Sequence, residues 1–191
     1  MALPSSPSGS TEAPVVFTQT VEGVIRALGR APTDPEKRAL RELGIDLDRP
    51  LEPAYPAVAF AKAVEFVARA RSPGLSEAEA YRELGERFFE GYTQTLIGRA
   101  TGQVLKVIGV RRSLARMERS FRNGNNYMRS HSEDLGSGRV RLYFDHILEQ
   151  PEYLRGIVLS GGRYVGAKAF VVDLVESGPN RCVLEVRWDE S

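Results

Sequence analysis

Arg112, Arg116 and Arg119 recur at spacings of four and three, and Arg122 continues the row. On a helix that spacing puts the guanidinium groups on one face. Such a row suits carboxylates or phosphates, each of which a guanidinium can grip with two hydrogen bonds. Residues 99–141 carry 10 basic and 3 acidic groups, net +7, between flanks of net −3 each. Against the anion-site reading stands a plainer one, a solvated face or ion pairs with those acidic flanks. Asn123-Gly-Asn-Asn126 then ends the helix with residues that suit helix termini and turns. Asn125 and Asn126 are candidates to contact a polar ligand, and Tyr127, opening the next strand, to close a pocket. With Tyr92 and Arg99 upstream, the candidate ligand-binding residues are Tyr92, Arg99, Arg112, Arg116, Arg119, Asn125, Asn126 and Tyr127.

Catalytic and metal signals are missing. The chain has no His-Glu-x-x-His helix, no Gly-x-Ser-x-Gly elbow and no phosphate loop ending in Gly-Lys-Ser/Thr. Ser160-Gly-Gly-Arg163 falls inside a predicted helix, where packing is its use. His131 and Glu133 share one face of a strand and read as an ordinary surface pair. The single cysteine, Cys182, excludes an intrachain disulfide framework and a multi-cysteine zinc site. It alternates with apolar neighbours and is expected to be a small buried hydrophobe. No catalytic residue and no metal ligand is assigned, and a non-enzymatic protein is expected.

Composition sets wider bounds. With 191 residues, 42% of them hydrophobic, the chain can bury one sizeable core. A net charge of +1 argues against general nucleic-acid or membrane-surface binding, and the basic middle lacks aromatic interleaving. Met1–Pro14 has neither the basic residues nor the apolar run of a secretory signal and reads as a disordered leader. No apolar run approaches the roughly 20 residues that span a bilayer, so a cytoplasmic protein is expected.

The elements that must position these residues fall into two halves. Val15–Phe17 reads as an edge strand, and Thr20 as the cap of a helix to about Leu28. Thr33-Asp-Pro-Glu36 starts another helix, with Leu40 and Leu43 inward. Ile45–Tyr55 is a connection. Pro56–Arg71 is a helix apolar around most of its circumference, hence central or self-associating. Ser76-Glu-Ala-Glu79 is a capping box. The pattern after it runs through Leu84, Phe88, Tyr92, Leu96, Ala100, Val104 and Val107. Gly85, Gly91, Gly98 and Gly102 interrupt that pattern, each costing about 1 kcal/mol against alanine, which points to close helix packing. Leu114, Met117 and Phe121 face inward.

From Asn126 the period becomes two. Asn126–Asp134 and a strand carrying Val140, Leu142, Phe144 and His146 are joined by Leu135-Gly-Ser-Gly138. A helix from Pro151 to Gly166 follows, then Ala169–Glu176 and Cys182–Trp188. The fold class is α+β: an N-terminal helical part (15–124) packed on a C-terminal antiparallel sheet part (125–191) of strand-strand-helix-strand-strand order, in a single domain.

Glu86–Gly102, Arg116–Tyr127, the Leu135-Gly136 turn and Val183–Trp188 resemble an uncharacterised paralogous family found mainly in myxobacteria, a domain of unknown function of about this length. The order of elements is more distantly similar to a ligand-binding superfamily that includes haem nitric-oxide sensor domains, 4-vinyl-reductase-type domains and Bet3-like trafficking subunits. That resemblance implies an apolar pocket between helices and sheet, or a dimerisation scaffold. Haem sensors carry their iron-binding histidine on a helix and a Tyr-x-Ser-x-Arg clamp for the propionates. The predicted helices here lack histidine, and Tyr127-Met-Arg-Ser130 departs from the clamp. No cofactor is therefore expected, haem included. The leading expectation is a homodimeric ligand-binding or signalling-type domain for a small apolar or anionic ligand, with arginines near the pocket mouth. The alternative is a homodimeric protein-interaction adaptor without a small-molecule ligand.

Overall fold

A computed structural model describes residues 12–190; the predicted leader Met1–Pro14 lies mostly outside them. Local capping sets the first helices. α2 (Asp34–Glu42) starts at Thr33, whose N–H donates to the Glu36 carboxylate at 2.7 Å. α4 (Glu77–Tyr92) starts at Ser76, whose N–H donates to Glu79 at 3.0 Å. Both follow the predicted boxes. α1 (Thr18–Ala27) begins two residues before Thr20, so Thr20 is not its cap. Its hydroxyl instead donates to the Gly124 carbonyl at 2.9 Å, tying α1 to the distant Asn-rich turn.

The predicted edge strand β1 (Val15–Phe17) finds its partner in β2 (Ala54–Pro56), with Val16 opposite Tyr55. The end of the Ile45–Tyr55 connection is thus a strand, and α3 (Ala57–Arg71) begins one residue later than predicted. Phe60, Ala63, Val64 and Val67 of α3 are buried, whereas Val58 is 59% exposed. α3 is therefore a cover with one buried face, not a helix enclosed on several sides.

The long pattern after Ser76 breaks at Thr95, whose hydroxyl accepts the Gly98 N–H at 3.0 Å and caps α5 (Leu96–Ala115). Leu96, Val104 and Val107, predicted inward, are 80%, 48% and 86% exposed. The cap restarts the helix with a new phase, so residues in step with α4 point elsewhere on α5. Gly109, at φ 77° and ψ 177°, bends α5 before the short α6 (Met117–Arg122).

The second half follows the predicted order. β3 (Arg129–Gly136), β4 (Arg139–Asp145), β6 (Arg181–Asp189) and β5 (Lys168–Gly178) lie in that spatial sequence, all antiparallel. α7 (Pro151–Tyr164) joins β4 to β5. Leu142 pairs with Leu184, which pairs in turn with Leu174. Val140, Leu142 and Phe144 are buried, but His146 lies just past β4, exposed, at φ 59°. His131 stacks on Tyr143 (4.4 Å, 3°), and Glu133 accepts from the Tyr143 hydroxyl at 2.7 Å, so Tyr143 takes the place of the expected His131–Glu133 pair.

α4 crosses α7 where Gly85 meets Gly156, and one buried cluster runs from Phe60 and Leu84 through Leu154 to Phe144 and Leu184. Cys182 belongs to it. Burial pushes its thiol up to about 12, so it packs as the hydrophobe expected from its alternation.

Candidate functional site

A cavity of about 130 Å³ opens among the helices. Phe88, Phe89 and Tyr92 come from α4, Leu105, Val110 and Leu114 from α5, Met117 and Phe121 from α6, and Ile157 and Val158 from α7. The predicted inward row Leu114, Met117, Phe121 therefore forms part of the wall. Among the described residues, none from β3–β6 lines the cavity. The expected place between helices and sheet is corrected on that point: the inner face of the sheet is already covered, with Phe121 edge-on to Phe144 (5.3 Å, 81°) and α7 packed along β5.

Asn125, Glu149 and Tyr153 are buried polar residues of the wall. Asn125 is buried, and its Oδ1 accepts the N–H groups of Tyr127 (3.2 Å) and Met128 (2.8 Å) while its amide donates to the Phe121 carbonyl (3.3 Å). Those bonds hold the turn from α6 into β3. Glu149 is 8% exposed and lines the cavity. It accepts from the Tyr127 hydroxyl and from the Leu148 N–H at 3.2 Å. Burial pushes its carboxyl upward, although the Tyr127 hydroxyl works the other way. Burial, then the Glu149 charge, raises the Tyr127 phenol. Tyr153, in the first turn of α7, is 2% exposed and lines the same cavity. Its hydroxyl has no hydrogen-bond partner among the described residues. Burial first, then Glu149, holds it in the neutral form.

Of the candidates read from sequence, Tyr92 and Asn125 line the cavity, Tyr92 stacking on Phe88 (5.9 Å, 23°). Tyr127 reaches it through Glu149. Asn126 serves the backbone, accepting from Val15 N–H (2.8 Å) and donating to the Ala13 carbonyl (3.1 Å). Asn126 and Tyr127 also border a more open recess with Arg129, His146 and Asn180. Arg99, Arg112, Arg116 and Arg119 are exposed, and none of them lines the cavity. The arginine that ties α5 to the sheet is Arg111, which pairs with Asp134 and Glu190 and lies 5.5 Å from the Trp188 ring.

Sequence reading passed over Glu149 and Tyr153. An acid just before a Pro-initiated helix looks like an ordinary partner of the helix's positive end, and one tyrosine on an apolar face looks like core. Their shared burial on one cavity wall is the signal, and it appears only after folding. No group of three His, Cys, Asp or Glu side chains able to hold a metal occurs among the described residues.

Residues 14–189 match a family described as protein of unknown function (DUF2378). The chain belongs to the DUF2378 family. No curated protein matches this DUF2378 chain. Its fold is shared with solved H-NOX domains. A doubly substituted Tt H-NOX superposes with a TM-score of 0.70 at 14% identity, covering 90% of this chain and 94% of the other. A structure on modulating haem redox potential through protein-induced porphyrin distortion gives 0.66 and 14%, covering 90% and 92%. An oxygen-binding H-NOX domain related to soluble guanylate cyclases, in its oxygen complex, gives 0.66 and 12%, again covering 90% and 92%.

The α+β architecture and the distant likeness to haem nitric-oxide sensor domains therefore hold. The expectation of no cofactor, haem included, is corrected: the DUF2378 chain shares its fold with a structure on modulating haem redox potential through porphyrin distortion. A missing helix histidine and a missing clamp speak about one manner of holding iron. They say nothing about what a helix-walled cavity encloses.

Proposed function

We propose that this DUF2378 chain is a non-enzymatic ligand-binding or signalling-type domain that takes a small apolar molecule into the helix-walled cavity. The observation that carries the reading is the cavity itself: about 130 Å³ of space walled by aromatic and aliphatic side chains. An apolar cavity of about 150 Å³ stays dry and admits benzene. The fold shared with an oxygen-binding H-NOX domain supports the same reading. We take the part from Val15 onward to work as one unit, in the cytoplasm; no helix among the described residues is long and apolar enough to cross a membrane.

Haem belongs among the ligands to be tested. The apolar wall suits the faces of a porphyrin, and Met117, Met128, Tyr92 and Tyr153 are lining residues with atoms that ligate iron. At about 130 Å³ the cavity is far smaller than a porphyrin, so the site as it stands does not fit it and no step is derived through it. Native mass spectrometry of freshly purified protein tests the reading. A retained mass of a small apolar molecule is expected, and haem would be read in the same sample by its mass and its Soret band. A clean apo mass, together with no stabilisation by any apolar probe, would overturn the proposal.

A second reading, a homodimeric protein-interaction adaptor, is favoured by one observation. Leu96, Ile97, Val104 and Val107 expose apolar surface on α5. Sedimentation equilibrium decides between dimer and monomer, and Val107→Glu should shift any dimer towards monomer.

A further inference from the structure

We propose that the preferred ligand of the cavity is a small apolar amine, held with its ammonium group against the Glu149 carboxylate and the Tyr153 hydroxyl. The inference rests on the ligand-binding reading and names the chemistry of that site. Three observations carry it.

First, Glu149 lines the cavity at 8% exposure, and the hydrogen bonds it accepts come from neutral donors, the Tyr127 hydroxyl and the Leu148 N–H. No lysine, arginine or histidine lines the cavity among the described residues. The positive end of α7 supplies only a partial charge beside it. A buried acid without a counter-ion is poorly compensated.

Second, Tyr153 lines the same cavity, and its buried hydroxyl lacks a partner among the described residues. Buried polar groups are nearly always paired, so an orphan of this kind calls for a missing partner.

Third, the remaining wall is almost wholly apolar, and Arg112, Arg116 and Arg119 point to solvent on the outer side of α5 and α6. An ammonium group brings one positive charge and three donors and no acceptor, which matches a carboxylate and a phenol oxygen. A hydrocarbon would leave the carboxylate without a counter-charge and the Tyr153 hydroxyl without a partner. A carboxylate ligand would set like charge beside Glu149, so the anionic ligand suggested by the arginine row does not suit this cavity.

Benzylamine, toluene and benzoate present one ring with three polar endings, and calorimetry with thermal unfolding of the full chain at neutral pH compares them. Benzylamine should bind at least tenfold more tightly than toluene, and benzoate more weakly than either. Glu149→Gln should bring benzylamine down to the affinity of toluene. Tyr153→Phe, which keeps the ring and removes one oxygen, should weaken benzylamine severalfold and leave toluene unchanged; it carries the test should Glu149→Gln fail to fold. Toluene binding as tightly as benzylamine would overturn the amine inference and leave the apolar-ligand reading standing. If none of the three binds, the inference fails, and the parent reading is judged separately by the retained mass.

Discussion

Gly85 of α4 and Gly156 of α7 meet with backbone against backbone. A Cβ on Gly85 would stand 2.1 Å from the Tyr153 carbonyl oxygen, and one on Gly156 2.1 Å from the Arg82 carbonyl oxygen. Neither neighbour is the far end of a flexible side chain, so the helices would have to separate. The same crossing sets where Tyr153 stands in the cavity wall.

Gly85→Ala should therefore destabilise the protein. Overpacking of this kind costs about 3 kcal/mol, and alanine's better helix propensity returns about 1 kcal/mol. A lower urea midpoint with an unchanged slope is the expected result. A variant as stable as the parent would show that the crossing is looser than described.

Gly109 holds φ 77° and ψ 177° inside α5, a region essentially reserved for glycine. Gly109→Ala should cost about 1–3 kcal/mol and shift the bend that lets Leu105 and Val110 both face the cavity. Thermal unfolding reads the first effect. Ligand affinity, measured on the folded variant, reads the second.

Tyr127→Phe removes the hydroxyl that donates to Glu149. Leaving a buried acceptor short of a donor costs about 1–3 kcal/mol. That hydroxyl favours the ionised carboxylate, so its loss should matter more at pH 8 than at pH 5. Urea midpoints at the two pH values check the sign; a larger loss at pH 5 would contradict it.

The Arg30 guanidinium and then the Thr33 N–H hold the Glu36 carboxyl down to about 2 from an ordinary 4.5. A depressed acid contributes stability that is present above its unfolded value and fades as pH falls through its folded one. The difference in unfolding free energy between the parent and Glu36→Gln should therefore shrink as pH falls from 4.5 towards 2. A difference that stays flat across that window would contradict the assignment.

Much of the architecture was legible because its causes are local. Thr33 and Ser76 announce helices through side chains three residues away, and the alternation Val140, Leu142, Phe144 exposes a half-buried strand without reference to any partner. The row Leu114, Met117, Phe121 was assigned inward correctly for the same reason. The errors lie where a local pattern has two continuations. Leu96, Val104 and Val107 stay in phase with α4 on paper, but the Thr95 cap restarts the helix and turns them to solvent. The arginine row drew attention by its charge, and charge is what keeps such a row outside.

By itself the sequence determined the order of elements, the capped helix starts, the two hairpins and a buried lone thiol, since each follows from residues within a few positions of one another. Tertiary structure alone decided that the cavity lies among the helices and that α5 leaves an apolar face exposed. It also decided that Glu149 and Tyr153 line one cavity, Glu149 held by the Tyr127 hydroxyl and the Leu148 N–H, and Tyr153 placed by the close approach of α4 to α7. That approach depends on two glycines far apart in the chain, and no local pattern can state which of them will touch.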